Sequence, residues 1–170
     1  MHIAIVGIGC RPPEILSKLS ETFGATINFK EINLPRNAFL HETNQWNAEK
    51  ILNELKNYEF ESDKVLGVVD VDIVVRGLNF VFGLSEIGGR NSLISLYRLR
   101  PPMSWPRSEA LFEERVLKEA THELGHSFGL GHCNDKRCVM SFSNSVEEVD
   151  RKGDRFCSNC IKLLIIKGVH

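Results

Sequence analysis

The sequence predicts an α/β domain: a mixed, mostly parallel twisted sheet, an antiparallel hairpin at its edge, and helices on both sides. Three observations carry that expectation. Apolar strand-like runs alternate with helix-like segments through roughly the first 75 residues, the pattern of parallel crossovers. Two later strand-like runs are joined by Ile87-Gly88-Gly89-Arg90-Asn91, a turn signal that makes them antiparallel. A long amphipathic stretch then ends at a glycine and gives way to a cysteine-bearing tail.

Each element can be justified in turn. Residues 2–8 are an almost continuous apolar run, as in a strand buried on both faces. Residues 13–23 suit a helix entered through Pro12-Pro13 and closed by Gly24. Residues 26–32 read as a second strand. Residues 44–58 read as a helix with Ala48, Ile51, Leu52 and Leu55 on one face. Residues 65–75 are rich in β-branched side chains and read as one central strand. Residues 79–86 and 92–99 are the hairpin, with 79–86 expected at the sheet edge. Arg100-Pro101-Pro102-Met103 breaks the chain before the long helix. That helix is expected to start near Ser108 as N-cap, with Pro106 before it and Glu109 in its first turn. Leu117, Ala120, Leu124 and Phe128 share its core-facing side. Residues 161–167 are apolar enough to pack as a short helix. Trp46 and Trp105 are expected to pack, and Asp70 and Asp72 to be strand-end or turn carboxylates. Gly7-Ile8-Gly9 resembles the start of a dinucleotide loop, but Pro12 occupies the third glycine's place.

The long helix carries the chemistry. His122-Glu123-Leu124-Gly125-His126 places two imidazoles four residues apart, one turn above each other on a single face. They can grip one ion from two corners. Glu123 points about 100° away around the axis, beside that ion, where a general base for an activated water belongs. His132 would lie about 15 Å further along if the helix continued. The chain must therefore stop and turn back. Gly129 supplies the stop, because glycine adopts the left-handed conformation without a Cβ clash, and Gly131 eases the bend. Three neutral imidazoles with a vacant fourth position describe an open zinc site. That points to a metal-dependent hydrolase whose substrate is a peptide or protein. Gly83, Leu84 and Ser85, on the expected sheet edge, are the candidate substrate rim, since an open edge can hold an extended chain by main-chain hydrogen bonds. The alternative is a capped edge with no ligand.

Of five cysteines, Cys133, Cys138, Cys157 and Cys160 form two close pairs, C-x4-C and C-x2-C. Such pairs suit a closed site of four thiolates around a second zinc, and they also suit two disulfides. Met1-His2 runs straight into an apolar strand with no basic segment or cleavage site. A cytoplasmic, reducing setting is therefore expected, where paired cysteines more often hold metal. Cys133 directly follows His132, so a closed thiolate site would fix where that imidazole sits. Cys10 reads as a small core or surface thiol.

The run from His122 to His132, then Cys133, Cys138-Val139-Met140 and Cys157-Ser158-Asn159-Cys160, resembles the archaemetzincin family of metzincin-type zinc peptidases. The resemblance implies catalytic zinc on His122, His126 and His132, with Glu123 as general base. It also implies structural zinc on Cys133, Cys138, Cys157 and Cys160, and a supporting methionine turn at Met140. Two zinc ions per chain are thus expected, one catalytic and one structural. Many metzincins carry a tyrosine shortly after the methionine. Here Ser141-Phe142-Ser143 follows, so no tyrosine is offered there.

Composition bounds the rest. A chain of 170 residues with 42% hydrophobic and 25% charged content is an ordinary globule with a real core. A net charge of −1 gives no bulk attraction for polyanions, so no nucleic-acid partner is expected. No apolar run is long enough for a bilayer, so no membrane partner is expected either. A monomer is assumed. One catalytic domain is expected over 1–170: an α/β part at 1–129 with the active-site helix, and a zinc-stapled subdomain at 130–170. The competing class is a catalytically silent zinc scaffold that binds a partner along its edge strand.

Overall fold

A computed structural model describes residues 1–169. Strand β1 (His2–Ile8) carries α1 (Leu19–Phe23) after it, then β2 (Thr26–Ile32), β3 (Phe39–Leu40), β4 (Gln45–Asn47), α2 (Ala48–Glu54), β5 (Lys64–Val69), β6 (Ile73–Val74), β7 (Gly83–Ser85) and β8 (Asn91–Ser95). Three helices complete the chain: α3 (Ser108–Ser127), α4 (Val146–Arg151) and α5 (Ser158–Ile166). The main sheet has the order β2-β1-β5-β8-β7, parallel throughout except for the antiparallel pair β7–β8 at one edge. This is the mixed, mostly parallel sheet predicted.

Both faces of the sheet are covered. Ile3, Ile5, Leu66, Val68 and Ile94 meet Phe23, Val116, Ala120 and Leu124 in one core. Ala4, Val6, Val65, Val69 and Leu93 meet Ala48, Ile51, Leu52 and Leu55 in the other. Alternate residues of the same strands therefore serve opposite cores, which is why the strands read as continuous apolar runs. Among the described residues, no helix is long and apolar enough to cross a membrane.

Several boundaries differ from expectation. The helix expected at 13–23 opens as a 3-10 turn, Glu14–Lys18, because Pro13 offers its end no side-chain cap; Gly24 closes it in the left-handed region as expected. The helix expected from residue 44 starts only at Ala48, where the Asn47 side chain accepts from the Lys50 N–H at 2.9 Å; Gln45–Asn47 is strand. The strand expected at 65–75 breaks after Val69. Asp70 and Asp72 form ion pairs with Arg100 and Arg98, and Ile73–Val74 joins a separate small sheet with β3 and β4. The hairpin is shorter than predicted, and residues 97–99 are a 3-10 turn. Ser108 is the first helical residue, not a cap; Arg107 precedes it at φ 57°. Trp105 is exposed, and α5 buries only Cys160 and Leu164 while Ile161, Leu163, Ile165 and Ile166 face outward.

Candidate metal centres and their cleft

Helix α3 arranges the site. Its core side places Val116, Ala120 and Leu124 out of water. Its other side carries Glu119, His122, Glu123 and His126 at i, i+3, i+4 and i+7, one continuous face. After Ser127 the helix stops as predicted. Gly129 takes φ 87°, its N–H donates to the His126 carbonyl at 2.8 Å, and the Leu130 N–H donates to that of Gly125 at 2.9 Å. The reversed chain returns His132 to within 5.4 Å of His122 and 4.9 Å of His126, ring centre to ring centre.

The nitrogens are oriented for a cation. Nδ1 of His122 lies 2.8 Å from the Val139 carbonyl, and Nδ1 of His126 lies 2.8 Å from that of Leu130. A carbonyl only accepts, so each Nδ1 carries the proton and each Nε2 keeps a lone pair. The two Nε2 atoms stand 3.1 Å apart. Facing lone pairs at that distance repel, and a cation between them resolves the conflict. Ligand nitrogens in tetrahedral zinc sites lie about 3.3 Å from one another, given Zn–N bonds near 2.0–2.1 Å. One ligand atom from each of His122, His126 and His132 falls within 4.8 Å of the others. Burial, helped by the Lys152 charge, drives His122 down to about 2; burial also lowers His126 and His132. All three imidazoles are neutral at pH 7, the form a metal needs.

The second cluster follows at once in the chain. Sγ of Cys133 and Cys157 are 3.8 Å apart, and Sγ of Cys138 and Cys160 are 3.7 Å apart. Thiolates at 2.3 Å from a tetrahedral zinc sit about 3.8 Å apart, whereas a disulfide needs about 2.05 Å. All five cysteines are free, so the disulfide alternative is set aside. The Cys157 N–H donates to Cys138 Sγ at 3.3 Å. A backbone N–H at Cys160 brings the Cys157 thiol down to about 7, while burial pushes Cys138 and Cys160 up.

Glu123 is walled in. The Ser85 hydroxyl lies 2.5 Å from Oε2 and donates to it. A Cβ at Gly83 would sit 2.6 Å from Glu123 Cγ and Oε1, so only glycine fits there. Burial pushes Glu123 up to about 8, against the opposing pull of the Ser85 hydroxyl. Gly83, Leu84 and Ser85 line a cavity of about 540 Å³ together with the three histidines and Glu123. Sequence reading placed β7 at this rim and missed that Ser85 and Gly83 hold the carboxylate itself. It also missed Gly125, where a Cβ would strike Sδ of the buried Met140. Glu119 and Lys152, which also line the cavity, were missed as well. Glu119 was findable, being one turn before Glu123; nothing local marks Lys152.

A doubly covered α/β sheet whose edge strand overlooks paired helical imidazoles and a returning third defines a zinc-dependent metallopeptidase. Comparisons with known proteins agree. The model of Peptidase family M54 matches residues 24–165. The chain is 44% identical to the archaemetzincin of Methanocaldococcus jannaschii, covering 100% of this chain and 96% of that one. The crystal structure of the Methanopyrus kandleri archaemetzincin superposes with a TM-score of 0.90 at 40% identity, covering 98% of this chain and 94% of that one. That of the Archaeoglobus fulgidus archaemetzincin, complexed with malonate, gives 0.82 at 34% identity, with 96% and 99% covered. The chain belongs to peptidase family M54.

Proposed function

We propose that this protein hydrolyses peptide bonds in a cleft where His122, His126 and His132 hold a catalytic zinc and Glu123 is the general base. A second zinc, held by Cys133, Cys138, Cys157 and Cys160, is structural, giving two per chain. The carrying observation is the pair of unprotonated Nε2 atoms facing each other at 3.1 Å, with Glu123 one residue away in the same cavity.

When bound, zinc supplies a Lewis acid for the scissile carbonyl and lowers the pKa of an attacking water. Val139 and Leu130 fix the imidazole tautomers through their carbonyls. The Glu123 carboxylate takes the water's proton and returns it to the leaving amine. Ser85 holds that carboxylate in place, and β7 offers its open edge to an extended substrate. Residues 1–129 supply the active-site helix and the edge-strand wall of the cleft, and the segment from residue 130 on supplies the stapled support together with His132, Phe142, Ser143 and Lys152 of the same cleft, within one catalytic domain. Four free thiols in a metal-ligand array suit a reducing cytoplasm.

Elemental analysis and the Glu123→Gln variant test this reading. We expect two zinc ions per chain in both proteins, and a fall in turnover of about 100-fold or more in the variant. Wild-type cleavage by Glu123→Gln, or two intact zinc ions with no cleavage of a broad peptide library, would overturn it.

A further inference from the structure

The cavity contains charge that hydrolysis as derived above does not use. Lys152, at the end of α4, and Glu119, on α3, both line the cavity and are each only 3% exposed. Their Nζ and Oε1 touch at 2.7 Å, yet neither atom has a hydrogen-bond partner; the approach is off the direction such a bond needs. An ammonium has three donors, so Lys152 keeps unused capacity. Ser143, which lines the same cavity, also has a buried hydroxyl without a partner. With the imidazoles neutral, Lys152 is the one cation lining the cavity among the described residues, and it shares that lining with large apolar side chains, Phe80, Phe82 and Phe142 among them.

A buried ion pair is a poor stabiliser compared with apolar packing. A poorly aligned ion-pair contact and a buried hydroxyl with no partner, all lining one cavity, add to that cost. Such an arrangement becomes favourable when a ligand completes it. A carboxylate fits: it accepts from Lys152 and Ser143, and it restores a charge-assisted bond in a dry site. We propose that Lys152, assisted by Ser143, is a specificity-determining residue that receives a carboxylate of the substrate. Two sources share that chemistry, the C-terminus of a peptide and an acidic side chain. The location rests on the cleft reading above.

The test compares 3-phenylpropanoate with 3-phenylpropanamide and 2-phenylethylamine by calorimetry, on protein as purified and after zinc loading. We expect the acid to bind about tenfold or more tightly than the amide. Lys152→Met combined with Glu119→Gln removes both charges and leaves no lone buried ion; unchanged melting confirms folding, and the acid preference should vanish. A preference that survives in the double variant and follows zinc content would assign the carboxylate to the metal and overturn the proposal. Tighter binding of the amine would assign the wall to Glu119 and overturn it too. Binding to the non-cleaving Glu123→Gln protein then separates the sources. One peptide pair differs only in C-terminal acid or amide, the other only in Glu or Gln. Lys152 dependence in either pair supports the subsite; dependence in neither overturns it. Loss of this preference leaves the zinc count and the Glu123 test unaffected, so the two readings fail separately.

Discussion

The histidine cluster and the cysteine cluster are adjacent in the chain at His132 and Cys133, yet they are built in opposite ways. The histidine cluster joins two side chains of one long helix to His132 on the returning loop and faces a cavity, so an ion held there would keep a coordination position open. The cysteine cluster draws on four positions across the last 40 residues and closes on itself. The first is held by a hydrophobic core that needs no ion. The second ties the loop at 133–138 to the start of α5, a helix that buries little: it turns four large apolar side chains outward. Where core burial is scarce, the metal staple proposed for these cysteines would take over. Of the two proposed sites, only the one facing the cavity could admit a substrate.

Breaking the staple should have the largest effect. Cys138→Ser is expected to remove the cysteine-held zinc and lower stability by several kcal/mol, since metal binding there is folding energy. It should also weaken zinc at the histidines, although Cys138 touches none of them. Chelator competition on the variant checks this; unchanged histidine-site affinity would uncouple the clusters. His132→Ala is the converse probe: it should empty the open site and abolish turnover while the melting temperature moves little. An equal loss of stability would dissolve the distinction between the two clusters. Gly83→Ala is expected to cost roughly 1–3 kcal/mol by overpacking and to slow turnover by displacing Glu123, with zinc retained.

The smallest effect concerns pH. The folded state of the metal-free protein prefers protonated Glu123, raised from 4.5 to about 8. That contribution is complete below pH 4.5 and lost as pH rises through 8. His122, lowered from 6.5 to about 2, acts oppositely: its contribution is present above pH 6.5 and lost on acidification. The melting temperature of wild type relative to Glu123→Gln should therefore rise as pH falls from 8 towards 5. A flat difference would refute the burial of that carboxyl.

Local patterns in the sequence foretell local geometry. The three histidines come together in one cluster beside Glu123 and the four cysteines in another, and Gly129 turns the chain between them, because helical spacing and a left-handed glycine are local rules. Strands at 2–8 and 26–32 matched to the residue. The misses are non-local. Residues 65–75 look like one strand because β-branching cannot report that Asp70 and Asp72 will find Arg98 and Arg100 about 30 residues on. The outward face of α5 and the Lys152–Glu119 contact depend on tertiary placement that no periodicity encodes.

Two of the three residues of β7 touch the carboxylate proposed to move the proton: Ser85 by its hydroxyl, Gly83 by having no side chain at all. A substrate strand laid along that edge would lean on the same wall. Docking and proton transfer therefore share a single mechanical part, and a register slip of one residue along β7 would be felt directly at the base.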